Sequence, residues 1–147
     1  MRAERFWIRW LWVASLGLVL FGLSMALLSR TPVFDVFNRA IDPRFWPAGI
    51  PPGAASFQGW VYGAWGATVA GWGITAAFVV RFALSRRQAW AWWALVTGIG
   101  VWFVVDTAWS ALAGVWVNVG LNAFLLAAFA LPLAGGARFW LSERPEH

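Results

Sequence analysis

The sequence predicts an all-α, polytopic transmembrane four-helix bundle with a short interfacial helix in its first extracytoplasmic loop. Three observations carry this reading. The chain is 61% hydrophobic and 12% charged, far less polar than a soluble domain of its size needs to cover its surface. Its apolar residues come in long blocks instead of the alternating pattern of an amphipathic fold, the mark of a chain whose solvent is lipid. Its eleven basic residues, all arginine, gather at the ends of those blocks, where positive charge sets orientation and meets anionic headgroups. Residues 1–147 are read as one membrane domain.

Met1 to Arg9 forms a short basic tail. Trp10 to Ser29 carries no charge over twenty residues, which at about 1.5 Å per residue reaches roughly the 30 Å of a bilayer core. The run is longer than a usual signal-peptide core and no A-x-A site follows it, so a retained first span is expected. Arg30 to Phe57 is the one long polar-tolerant segment. Thr31-Pro32 has the form of an N-cap with proline at the first helical position. Val33, Phe34, Val36, Phe37, Ala40 and Ile41 then share a broad face, with Asp35, Asn38, Arg39 and Asp42 elsewhere. That pattern fits a helix lying in the membrane interface. Asp42-Pro43 is expected to end it, and the stretch FWPAGIPPG from Phe45 cannot continue a helix. A connector anchored by Phe and Trp is preferred here over a lid.

The second span is expected at about 58–80. Gly59, Gly63, Ala67 and Gly71 recur every four residues, with Gly66 and Ala70 as a neighbouring row. Small residues at such spacing let helices approach closely in lipid. The row is assigned to internal packing, with a dimer face as the alternative. Arg81, Arg86 and Arg87 form a basic loop. Gln88 to Ala137 then holds a single charge, Asp106, over a length that would make a straight helix of about 75 Å. It must cross twice, turning at Gly114, so the four spans fall at about 10–29, 58–80, 89–112 and 115–134.

Arginine counts orient the chain. Arg2, Arg5, Arg9, Arg81, Arg86, Arg87, Arg138 and Arg144 fall on one side and Arg30, Arg39 and Arg44 on the other, which puts both termini in the cytoplasm. Most of the fourteen tryptophans then read as interface anchors, among them Trp7, Trp10, Trp92 and Trp140. Arginine without lysine, and abundant Ala, Gly and Trp, are the composition of a GC-rich prokaryote, so the expected location is its cell (inner) membrane.

Composition also excludes chemistry. With no cysteine, thiolate metal sites, disulfides and thiol redox are absent. The lone histidine, His147, ends the chain, so an intramembrane haem or imidazole metal cluster is not expected. Neither metal nor cofactor is assigned, and nucleic acid is no partner for arginines that flank apolar spans.

One constellation remains. In a hairpin turning at Gly114, residues whose numbers sum to about 228 share a depth, which sets Asp106 against Asn122 and Ser110 against Asn118. Gln58 and Tyr62 begin the second span at the same end, and Trp65 and Trp102 are placed along the lining. The expected polar intramembrane patch is therefore Asp106, Ser110, Asn118, Asn122, Tyr62 and Gln58. An ionised carboxylate in hydrocarbon costs several kcal/mol, so Asp106 must be protonated, hydrogen-bonded or hydrated. Two bland accounts compete with a working Asp106. Either the polar groups satisfy one another and set the hairpin register, or Asp106 lies at the interface and 108–116 runs flat on the surface.

With its segments YGAWGATVAGWG and WFVVDTAWS set on four spans, the chain resembles in size and layout the DoxX-like class of small bacterial membrane proteins. The resemblance implies a four-span fold and carries over no catalytic residue. Three functions are expected in descending order. The first is a non-enzymatic subunit, scaffold or accessory protein whose partners are the bilayer and either its own copies or a membrane complex. The second is a homo-oligomeric carrier of a proton or lipophilic cation using Asp106. The third is a membrane enzyme acting on a lipid or isoprenoid, which lacks the second positioned acid–base group such chemistry needs.

Overall fold

A computed structural model describes residues 2–142, all-helical apart from turns and short connections and with no strand among them. Arg144 and His147 lie outside the described residues. Helix α1 spans Arg2–Leu28, and a 3-10 turn at Pro32–Phe34 leads into α2, Asp35–Phe45. Helix α3 spans Pro52–Phe78 and runs on through a π turn at Val79–Ala83 and a 3-10 turn at Leu84–Arg86. Helices α4, Ala89–Leu112, and α5, Trp116–Trp140, complete the chain. Four of these elements are long and apolar enough to cross a membrane: α1, α3 with its extension, α4 and α5.

Two helices begin earlier than charge patterning predicts. The basic tail belongs to α1, whose first turn holds Glu4, a favourable charge at a helix N-terminus. Helix α3 starts inside the proline-rich stretch because Pro51 is extended, at φ −65° and ψ 149°, and Pro52 takes the first helical position, where a missing N–H costs nothing. Pro43 does not end α2, contrary to expectation, and the helix runs on to Phe45. Pro43 cannot bond to Arg39 O and its ring crowds that carbonyl, but both effects fall near the helix end, where Trp46 N still donates to Asp42 O at 2.7 Å to close the last turn.

The bundle is a ring in which α1 packs on α3 and α5, and α4 packs on α5 and on the end of α3. Its tightest contact joins α1 to α3. A Cβ added at Gly66 would lie 2.5 Å from both Ala26 N and Gly22 O, and one at Gly73 would lie 2.8 Å from Val19 N. The backbones thus touch, and dispersion between closely set chains is what such small-residue contacts supply. The row that does this is Gly66, Ala70 and Gly73. In the row expected to pack inside, a Cβ at Gly63 or Gly71 would meet open space, Ala67 is exposed, and Gly59 faces the Arg30 side chain. That assignment is corrected: both rows are small enough for close approach, and the one that faces α1 is the neighbouring row of Gly66 and Ala70, joined by Gly73.

Both tight turns use the same hydrogen-bond pattern. Gly114, at φ 73°, gives its N–H to Ala111 O at 3.0 Å while Val115 N donates to Ser110 O at 2.8 Å. Arg87, at φ 59°, repeats this, its N–H donating to Leu84 O at 2.9 Å while Gln88 N donates to Ala83 O at 3.2 Å. These are Schellman caps, which satisfy the orphan carbonyls of a helix end. The apolar core is built mainly from Leu11, Val80, Leu84, Leu95, Phe129 and Trp140, towards the arginine-rich end of the ring. Trp140, expected as an interface anchor, is 1% exposed and belongs to this core. Trp10 donates its indole N–H to Ala128 O at 2.9 Å, the carbonyl left free because Pro132 inside α5 has no N–H to offer it.

Candidate functional site

The polar cluster forms near the turn between α4 and α5. Asp106 and Ser110 lie one turn apart on α4, so their side chains share a face. Asn118 and Asn122 repeat that spacing in the first two turns of α5, the helix end that carries partial positive charge. The Schellman turn at Gly114 folds these faces together. Helix α4 runs unbroken through Leu112, so no segment from residue 108 lies apart as a separate surface strip.

One oxygen of Asp106 collects three donors. Oδ1 accepts from Ser110 Oγ at 3.1 Å, Asn118 Nδ2 at 2.7 Å and Asn122 Nδ2 at 2.9 Å. Asn118 Nδ2 also donates to Ser110 Oγ at 2.8 Å, and Asn122 Nδ2 to Thr107 Oγ1 at 3.2 Å. Both amides therefore spend their two N–H groups inside the hairpin. The cluster is shut away from the surroundings at its base, with Asn122 1% and Ser110 8% exposed. Asp106 Oδ2 receives no hydrogen bond among the described residues.

Tyr62 and Gln58 do not join this cluster. Gln58 Nε2 donates to Asp42 Oδ1 at 2.6 Å, and the Tyr62 ring lies 6.5 Å from that of Phe34. Both tie α3 to the α2 region. Trp65 is 55% exposed and turned outward. Trp72 takes the inner place assigned to it, with ring centroids 6.3 Å from Trp102 and 6.4 Å from Phe129, and so fills the gap where α3 and α4 separate.

Thr107 and Arg44 belong to the site region although sequence reasoning passed over them. Thr107 follows Asp106 directly and its hydroxyl is a second acceptor for Asn122, a role that hairpin depth alone does suggest. Arg44 Nε donates to Ala113 O at 3.0 Å, placing a cation on the carbonyl end of α4, where it is favoured. Arg44 lies in the last turn of α2, and no sequence spacing signals that approach.

Chemically, the cluster has one titratable group surrounded by hydroxyls and amides. It anchors one carboxyl oxygen through three donated hydrogen bonds, and Oδ2 leaves one coordination face open. Among the described residues no three His, Cys, Asp or Glu side chains group as metal ligands. No protein-family model, curated protein or solved structure matches the chain.

Proposed function

We propose that the chain is a multi-pass protein of a prokaryotic cell membrane, with both termini in the cytoplasm, acting as a non-enzymatic subunit or accessory protein. The observation that carries the functional reading is the closure of the Asp106 cluster on itself. Three donors from one hairpin converge on a single oxygen, and both asparagine amides are spent within that hairpin. Such a network fixes the α4–α5 register and offers no second acid or base for catalysis. Asp106 is then a staple within the hairpin.

The four apolar helices support the membrane placement, and the arginine distribution supports the orientation. Centring a bilayer core of about 30 Å on α4 sets Asp106 roughly 7 Å inside its outer edge. There α2 and the turn that leads into it, with Val36 and Val33 exposed, have the amphipathic make-up of an interfacial helix.

A second reading, a carrier for a proton or lipophilic cation, draws on the open Oδ2 of Asp106. Reconstitution in liposomes separates the two. Wild type and Asp106→Asn should show equal permeability to protons and to a lipophilic cation such as ethidium. A flux present in wild type and abolished in Asp106→Asn would overturn the accessory reading in favour of the carrier.

A further inference from the structure

At the other end of the bundle from Asp106, an open hollow of about 680 Å³ lies between α1 and the α3–α4 connection. Arg5 and Arg9 line it from α1, one turn apart on one face. Arg81 and Arg87 line it from the opposite wall, Arg81 within the π turn that shifts the phase of α3 just there. Among the described residues the one carboxylate in the lining is Glu4, and it is already held by Arg87, whose Nε and Nη2 donate to it at 2.8 and 2.6 Å. Arg5, Arg9 and Arg81 form no ion pair among the described residues.

Three guanidinium groups around one hollow, none paired among the described residues, repel one another and attract an anion. Guanidinium groups match phosphate oxygens in geometry as well as charge. The hollow is more than a charged rim, because Ile8 and Trp12 of α1 line it too, and Trp12 is 41% exposed. Arg9 also borders a second groove between α1 and α5, walled by apolar side chains such as Phe6, Trp10 and Phe124. A ligand that fits has a phosphate at its head and hydrocarbon beside it.

We propose that this hollow binds an anionic phospholipid, with its phosphate held among Arg5, Arg9 and Arg81. The inference rests on the membrane placement proposed above and is independent of the role of Asp106. Basic pockets between membrane helices recognise such headgroups through charge focused at the end of an apolar wall.

The test uses the full chain in detergent micelles, titrated with cardiolipin, phosphatidylglycerol or phosphatidylcholine and followed by native mass spectrometry. Both anionic lipids should stay bound where phosphatidylcholine is lost. Arg9→Gln should weaken cardiolipin binding about fivefold, and the triple variant Arg5→Gln, Arg9→Gln, Arg81→Gln should nearly abolish it, each arginine contributing to a comparable degree. Arg9→Lys should restore most of the loss, and Arg138→Gln, outside the hollow, should leave binding unchanged. Unchanged helicity by circular dichroism in the triple variant assigns its loss to the site. Equal binding of phosphatidylcholine, or of cardiolipin by the triple variant, would overturn the proposal. Displacement of the lipid by millimolar inorganic phosphate would overturn it as well, in favour of a free-phosphate site. A chain that stays soluble and folded without detergent would overturn the membrane placement and this site together.

Discussion

A carboxyl group among apolar helices is tolerable only if its oxygens find partners in place of water, and at Asp106 three neighbouring donors supply them. All three sit on Oδ1, so the acceptor matters more than the charge. Asp106→Asn keeps a carbonyl oxygen in that position and should cost about 1–2 kcal/mol. Asp106→Leu leaves Ser110, Asn118 and Asn122 without their shared acceptor and should cost about 2–4 kcal/mol. Thermal unfolding of both variants in the same micelle would check the order, and an Asn variant as damaging as Leu would show that the ionised form is what the hairpin needs. The pairing of Asp106 with Asn122 and of Ser110 with Asn118 was legible because a helical hairpin has few unknowns. One glycine locates the turn, and the four-residue spacing on each side does the rest. Tyr62 and Gln58 were not legible in the same way. Their partners, Phe34 and Asp42, belong to the short helical segment before the proline-rich loop, and periodicity reveals that segment without saying how the loop folds it back onto α3.

Helices in lipid cannot be oriented by a polar face they do not have. On α3 small residues occupy both the Gly59–Gly63–Ala67–Gly71 row and the Gly66–Ala70–Gly73 row, so spacing alone identifies a helix that packs closely without saying which side does so. The decision comes from α1, where Gly22 and Ala26 form the matching depression. Gly66→Ala should therefore force the two backbones apart and cost about 1–3 kcal/mol, as overpacking does. Gly71→Ala, whose new methyl meets open space, should be neutral or slightly stabilising, since alanine is the better helix former. Unfolding midpoints of the two single variants, with Gly63→Ala as a second control, test this directly, and equal losses would mean that the outer row is also packed. The four helices themselves were read from charge-free length. Their ends were not, because a helix continues past the apolar core wherever a proline or an acidic first turn favours it.

At the scale of the whole molecule, the ring must hold the start of the chain against a connection more than eighty residues away. Glu4 and Arg87 do this at the arginine-rich end, with Arg87 itself strained into the left-handed region at φ 59°. Glu4 lies in the tail ahead of the charge-free stretch, and the hydrogen bonds from Arg87, reinforced by its positive charge, hold its carboxyl below the ordinary glutamate range. A group whose folded pKa is lowered contributes stability above its unfolded value, and that contribution is lost as pH falls through the folded one. Glu4→Gln should accordingly lower the unfolding midpoint at neutral pH. The gap between wild type and variant should close as pH falls through the lowered folded pKa, where the wild-type carboxyl protonates. Because Arg87 is 43% exposed, the gap should also shrink in roughly 1 M salt, which screens charges beyond about 3 Å. A difference that survives both acid and salt would mean that Glu4 acts through packing. A difference that vanishes under both would identify the ion pair as the electrostatic clasp that closes the ring.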